Sequence, residues 1–320
     1  MTKQSPTSVL RLGTRGSQLA RTQSAMVAEQ LSRRCPGLSV ELVIYKTSGD
    51  IFKDRPLHEE GGKGLFTKEL ELALLAGEID FAVHSLKDVP VTMPLVAQDN
   101  LVLAAIPLRE DPRDVLVSSI AHRVMDLPAA ARVGTGSLRR RCQLLAARPD
   151  LEIVPLRGNL DTRLRKSRDG EYDAIVAALA GLKRACLFDA ATMAAIPTEE
   201  MLPAAGQGAL ALQCCRDDER TRGVLSLLHD PITARCVRAE RAIVTGLKGD
   251  CHSPIGAFAT IESEELTLRV AVGAPGGRLP VLTAAATAPA RRWQAAVNQV
   301  LYELRSMDAD DLMDHMAAAI

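Results

Sequence analysis

The feature that most constrains this chain is a repeated alternation. Short runs rich in Val, Ile and Leu are followed by longer segments of helical period, and the whole pattern occurs twice. Such alternation marks α/β layers built on mainly parallel sheets, because each strand must return through a covering helix. In the first half, 9–12, 39–45 and 81–83 are expected as strands and 18–33 as a helix. Phe66, Leu70, Ala73 and Leu74 give 64–76 one apolar helix face. In the second half, 114–118, 132–133, 151–156 and 174–178 read as strands, and 137–147 and 160–168 as helices. The halves also echo each other. Leu12-Gly13-Thr14-Arg15-Gly16-Ser17 and Val133-Gly134-Thr135-Gly136-Ser137 both leave a strand through a Gly/Thr turn and set Ser just ahead of a helix.

Two similar α/β domains are therefore expected. The Pro/Gly/Ala-rich stretch 201–208 reads as a crossing between them. Beyond it, a helix at 235–245, strands at 257–261, 266–272 and 281–286, and a helix at 293–305 read as a smaller α+β domain with an antiparallel sheet. The expected boundaries are 1–108 for the first domain, with a return segment near 206–228, then 109–205 for the second and 229–320 for the third. A chain of 320 residues has room for this many domains.

Charge and composition narrow the partners. Lys+Arg and Asp+Glu are equal at 39 each, so no global field draws nucleic acid or anionic lipid. Five Phe, three Tyr and one Trp leave few rings for base stacking. No apolar run approaches the ~20 residues that span a bilayer. The polar start, 1–8, lacks the apolar core of an export signal, and a cytoplasmic location is expected. Seven scattered cysteines without CxxC or Cys/His spacing favour neither a disulfide framework nor a metal site. His84 and His229 likewise have no partners at ligand spacing and read as structural.

The even balance hides an uneven distribution. Between Arg132 and Arg168 lie ten cationic residues and three acidic ones, a net of +7. Thr135, Ser137, Arg139 and Arg140 stand at one strand-to-helix turn, and Arg157-Gly158-Asn159 at the next. Ligands of open parallel sheets bind at this edge, where loop amides and helix starts point. Arginine's planar fork suits carboxylates, and its charge persists at neutral pH. Arg141, Arg148 and Arg168 lie further along their helices and read as solvated. Thr14, Arg15, Gly16 and Ser17 occupy the equivalent turn of the first domain, and Lys87-Asp88 follow the strand 81–83. An Asp at that edge is placed to accept a substrate N–H and stabilise a developing positive charge.

Gly61-Gly62-Lys63-Gly64 lacks the spacing of a phosphate loop, and 50–64 reads as a flap. Cys251 stands apart from the other cysteines, in the polar loop Gly249-Asp250-Cys251-His252-Ser253-Pro254. On the residues alone, three functions stay open: an enzyme acting on an anionic small molecule, a non-catalytic binding protein of the same two-domain form, and a ligand-sensing domain of a regulator. The missing export signal and the Cys251 loop weigh against the second. The lack of a helix-turn-helix extension weighs against the third.

One resemblance runs over nearly the whole chain. LGTRGSQLA (12–20), GGKGLFTKELE (61–71), FAVHSLKDVP (81–90), VGTGSLRRRCQL (133–144), PLRGNLDTRL (155–164), EYDAIVAALAGLKR (171–184), LPAAGQGAL (202–210), RAERA (238–242) and GDCHSPIGAFA (249–259) resemble, in order and spacing, the porphobilinogen deaminase (hydroxymethylbilane synthase) family. The resemblance implies two periplasmic-binding-protein-like (type II) α/β domains with a small third domain. It also implies a monomeric transferase that condenses four porphobilinogen molecules head to tail, releasing ammonia, to give hydroxymethylbilane. A dipyrromethane cofactor would be held by a thioether to Cys251, and Asp88 matches the catalytic aspartate. Arg15, Ser17, Lys87, Thr135, Ser137, Arg139, Arg140, Arg157, Asn159 and Arg163 match or adjoin positions that bind the acetate and propionate groups of cofactor and substrate. Gly181 and Arg184 match further cleft positions. Each ring carries two carboxylates, so a basic lining is required. The chain departs from the common pattern at Gln213 and Cys215, where Glu and Arg are frequent, at Gly136 for Ser, and at Asp250 for Gly.

Overall fold

A computed structural model describes residues 8–45, 67–91, 99–250 and 252–317. The segment 50–64 and Cys251 lie outside the described residues. By internal contacts the chain divides into two units, 1–109 with 209–234, and 110–208 with 235–320. Elements are numbered along the chain.

Unit 1 holds a five-stranded sheet in the order β2-β1-β3-β10-β4, made of β1 (Ser8–Arg15), β2 (Leu38–Tyr45), β3 (Phe81–Ser85), β4 (Leu101–Ala105) and β10 (Leu210–Cys215). β1 runs parallel to both β2 and β3, while β10 is antiparallel to β3 and β4. Successive side chains of a strand point to opposite faces, and the core follows that rule. Leu10, Leu12, Phe81 and Leu212 pack with Val27 and Leu31 of α1 (Gln18–Arg34). Ala82 and Ile79 pack with Leu70 and Leu74 of α2 (Lys68–Leu75).

Unit 2 repeats the scheme. Its sheet runs β7-β6-β8-β5-β9, with β5 (Asp114–Val117), β6 (Arg132–Gly134), β7 (Glu152–Val154), β8 (Ala174–Ala178) and β9 (Met193–Ala195). β6 is parallel to β7 and β8, and β5 is antiparallel to β8 and β9. In each sheet the antiparallel strand is the first one formed after the chain enters that unit from the other, at β5 and at β10. The helices here are α3 (Leu138–Ala147), α4 (Leu160–Arg168) and α5 (Leu179–Arg184).

The sequence echo has a structural cause in both of its conserved features. A Cβ on Gly13 would lie 2.3 Å from Ile79 Cδ1, and one on Gly134 would lie 2.8 Å from the Tyr172 ring, so each strand needs glycine where a neighbour closes on it. Ser17 and Ser137 are both N-caps, accepting from Ala20 N–H (3.3 Å) and Arg140 N–H (3.4 Å).

The rest of unit 2 is the expected small α+β part. Strands β11 (Ile255–Glu262), β12 (Glu265–Ala274) and β13 (Arg278–Pro289) form an antiparallel sheet. Ser263 and Glu264 close the first hairpin with φ of 49° and 65°, the left-handed pair that a two-residue loop between twisted strands requires. Leu266, Leu268, Val270 and Val272 alternate into the core, and Val297, Val300, Leu301 and Leu304 of α8 (Trp293–Ser306) present the apolar stripe of a helix in the same part. Glu240 of α7 (Pro231–Gly246) is fully buried and accepts the N–H of Gly206 (2.7 Å) and of Ala259 (3.0 Å), stitching the 201–208 segment to β11. Among the described residues no helix is long and apolar enough to cross a membrane.

Three strands went unread in the sequence, β4, β9 and β10, along with three helices, α5, α6 (Glu219–Ser226) and α9 (Ala309–Ala317). β9 is only three residues long, and β4 and β10 sit between segments read as loop or crossing.

Candidate active site

In unit 1 the candidate residues share one edge of the sheet. Leu12 pairs with Phe81 and Gly13 with Ala82 in parallel register, so β1 and β3 reach their carboxyl ends together. Arg15 ends β1 and Ser17 caps the helix that follows. After β3 comes a single 3-10 turn, Leu86–Asp88. Leu86 and Val89 are buried and anchor the turn, Leu86 N–H donating to Ala209 O and Val89 N–H to Leu86 O. Between these anchors Lys87 is half-buried and Asp88 exposed. The burial of its neighbours thus turns the Asp88 carboxylate outward.

Behind that edge runs a buried polar chain absent from the sequence reading. His84 Nε2 donates to Gln213 Oε1 (2.9 Å), and Gln213 Nε2 donates to Glu71 Oε1 (3.0 Å). Gln213 thereby fixes which imidazole nitrogen carries the proton. Burial pushes the His84 imidazole down to about 4, with the Gln213 hydrogen bond opposing the fall and Arg15 adding to it. The ordinary value is 6.5, so between these limits unfolding takes up a proton. The native state should lose stability as pH falls from 6.5 toward about 4, at up to ~1.36 kcal/mol per pH unit. Denaturant unfolding at pH 7 and pH 5 checks this. The drop should shrink in His84→Gln, and equal drops would detach it from His84. His229 is likewise structural, its Nδ1 accepting from Ile106 N–H (3.2 Å).

In unit 2 the candidates gather at the carboxyl edge of β6, β7 and β8. Thr135 is buried and its Oγ1 accepts the Ser137 N–H (3.1 Å). Arg157 is exposed on the loop after β7, Asn159 caps α4 by accepting Thr162 N–H (3.0 Å), and Arg163 Nε donates to Gly158 O (2.8 Å). Gly181 lies within α5, where its carbonyl accepts Ala185 N–H. Arg184 donates to Gly208 O (2.7 Å), and burial lowers its pKa.

Arg139 and Arg140 have a different setting. Both are buried, and both pair with Asp114, which is wholly excluded from solvent, at 2.7 Å. Arg139 also donates to Leu202 O, Arg140 to Val176 O, and Gln207 Nε2 to Asp114 Oδ1 (2.9 Å). Burial by itself would raise the Asp114 pKa, but the two guanidiniums outweigh it and hold the carboxyl well below its ordinary range. Asp114 reaches this place because β5 is antiparallel to β8, which sets its first residue beside Ala178 at the carboxyl edge. The net of +7 between residues 132 and 168 thus includes two cations answered by an acid outside that window. An isolated Asp opening an apolar strand was the available signal.

Burial pushes the Cys142 thiol up to about 11 and the Cys214 thiol up to about 12, so neither is a ready nucleophile. A hollow of about 560 Å³ on the C-terminal sheet is lined by Glu199, Glu262 and Glu265, with Arg269 paired to Glu199. Its acidic wall does not suit a polycarboxylate.

Residues 10–223 match the family model described as porphobilinogen deaminase, dipyromethane cofactor binding domain, and residues 234–295 match the model of the porphobilinogen deaminase C-terminal domain. The chain belongs to the porphobilinogen deaminase family. The porphobilinogen deaminase of Syntrophus aciditrophicus (strain SB) is 52% identical over 264 residues, covering 82% of this chain and 85% of that protein. Among solved structures, the periplasmic VFT2 domain of Bordetella pertussis BvgS aligns over 68% of this chain and 85% of its own, at 17% identity and a TM-score of 0.38. YhfZ from Shigella flexneri aligns over 75% and 91%, at 16% identity and a TM-score of 0.37. As a family member the chain is a transferase of tetrapyrrole biosynthesis. It is a hydroxymethylbilane synthase that condenses four porphobilinogen molecules on a covalently held dipyrromethane and releases ammonia.

Proposed function

We propose that Asp88 is the catalytic carboxylate of this deaminase and Cys251 the point of cofactor attachment. Arg15, Ser17, Lys87, Thr135, Ser137, Arg157, Asn159, Arg163, Gly181 and Arg184 receive the carboxylates of cofactor, substrate and growing chain. Arg139 and Arg140 belong to the same basic set, held in place by Asp114. The observation that carries the reading is the outward-turned Asp88 carboxylate beside Lys87, on a turn pinned by Leu86 and Val89.

The chemistry follows from the groups present. Guanidinium forks and capped helix starts hold a polycarboxylate by charge-assisted hydrogen bonds, which fits a dipyrromethane and each incoming porphobilinogen. As the amine of the substrate's aminomethyl arm departs as ammonia, leaving the methylene on the ring, positive charge spreads onto the pyrrole nitrogen. Asp88 accepts that ring N–H and stabilises the charge through the step. Cys251, as a thiolate, is a soft nucleophile suited to the electrophilic methylene of a pyrrole that has lost its amine. When bound, the dipyrromethane supplies the ring carbon from which the chain grows. The proposed setting is a cytoplasmic monomer acting on a small polycarboxylate, without nucleic-acid or membrane partners.

Intact mass is the test. Purified from a porphobilinogen-producing cell, the chain should exceed its sequence mass by two linked pyrrole units, and Cys251→Ala should return to the bare mass. A wild-type chain at bare mass would sink the reading.

A further inference from the structure

Asp250, a residue given no part in binding or chemistry above, accepts three hydrogen bonds within the loop that carries Cys251. Its Oδ1 accepts the N–H of His252 (2.9 Å), the N–H of Ser253 (3.0 Å) and the Ser253 hydroxyl (3.0 Å). Ser253 Oγ in turn accepts the Asp250 N–H (2.9 Å). The two side chains thus bond reciprocally across position 251. Both ends of the loop are tied to regular structure, Gly249 N–H donating to Val244 O (2.8 Å) on α7 and Gly273 N–H on β12 donating to Pro254 O (2.9 Å).

An acid at this position poses an electrostatic problem, since the group attached at Cys251 carries two carboxylates on each ring. Like charges at short range oppose each other, and an unengaged carboxylate here would disfavour attachment. Three donors on one oxygen answer the problem by engaging the charge within the loop. The same bonds fix the backbone of residues 250, 252 and 253, so less ordering remains when the thioether forms.

We propose that Asp250 is a positioning residue for cofactor attachment, its carboxylate oxygen presetting the loop on both sides of Cys251. The role is geometric and does not need the negative charge. It rests on the assignment of Cys251 as the attachment point.

The test is the rate of covalent loading. Apo-chain from cells unable to make porphobilinogen is mixed with porphobilinogen and followed by intact mass. Asp250→Ala should load about tenfold more slowly, while Asp250→Asn, whose amide oxygen accepts the same three bonds, should load within about twofold of wild type. Ser253→Ala removes only a hydroxyl and should also slow loading, which keeps the test available if Asp250→Ala folds poorly. Loading of both Asp250→Ala and Ser253→Ala at the wild-type rate would overturn the proposal. So would Asp250→Asn as slow as Asp250→Ala, since charge and not geometry would then be at work. Cys251→Ala should not load at all. If it does, the attachment assignment itself fails, an outcome separable from any effect at Asp250.

Discussion

Asp88→Asn should lower kcat by roughly 10²–10³-fold while leaving the pyrrole cofactor attached. The substitution keeps size and hydrogen-bonding capacity but removes the charge proposed above to stabilise the positive pyrrole ring. Asp88 is exposed on a turn whose anchors, Leu86 and Val89, are buried, so neither Asn nor Glu disturbs packing. Asp88→Glu keeps the charge and misplaces it by one methylene, and should fall between wild type and Asp88→Asn. An interaction made mainly in the transition state lowers kcat and kcat/KM together and leaves KM nearly unchanged. Ammonia release, with intact mass to verify the attached cofactor, measures both. Full activity in Asp88→Asn and Asp88→Glu would remove this residue from the chemistry.

Asp114→Ala should destabilise unit 2 by about 3–5 kcal/mol, because it leaves two buried guanidiniums without their carboxylate. The contrast is with Arg33 and Glu29, an i,i+4 pair at 2.6 Å whose side chains are 73% and 63% exposed. Water screens that pair, and Glu29→Ala should change stability by no more than ~0.5 kcal/mol. Geometry alone would rank the two pairs alike, and burial separates them. The Asp114 carboxyl is held below its ordinary 3.8. Its contribution is therefore complete above that value and is lost only as pH falls through the lowered folded-state value. Denaturant unfolding of wild type and Asp114→Ala at pH 7 reads the difference. A change under ~1 kcal/mol would show that Arg139 and Arg140 find other partners. A large loss would also bear on binding, since Arg139 and Arg140 sit on the first turn of α3 beside the Ser137 cap.

Much of the fold was legible because its elements are long and regular. The periodicity of 18–33, 137–147 and 160–168 identified α1, α3 and α4 to within a residue or so. The echo of 12–17 and 133–137 was legible because both turns meet the same two demands, a glycine where strands and side chains close in and a Ser that satisfies a helix start. Tertiary pairing was not legible. β4 and β10 are strands because β10 inserts antiparallel between β3 and β4, a partner about 110 residues away along the chain. No local pattern announces such a return.

The candidate site divides in the same way. Which residue types stand at the strand ends, Arg15, Lys87 and Asp88 in one unit and Thr135, Arg139, Arg140 and Arg157 in the other, is determined by the sequence and its periodicity. The state of each charge was decided only by the tertiary structure. Arg157 stays on the surface, whereas Arg139 and Arg140 are drawn inside by Asp114, because β5 runs antiparallel and carries that acid to the same edge. His84 and Gln213, far apart in the chain, become one buried pair for the same reason, the antiparallel register of β10 against β3. A sequence counts charges along a line. The energy of each depends on burial and on the partner that folding brings near it.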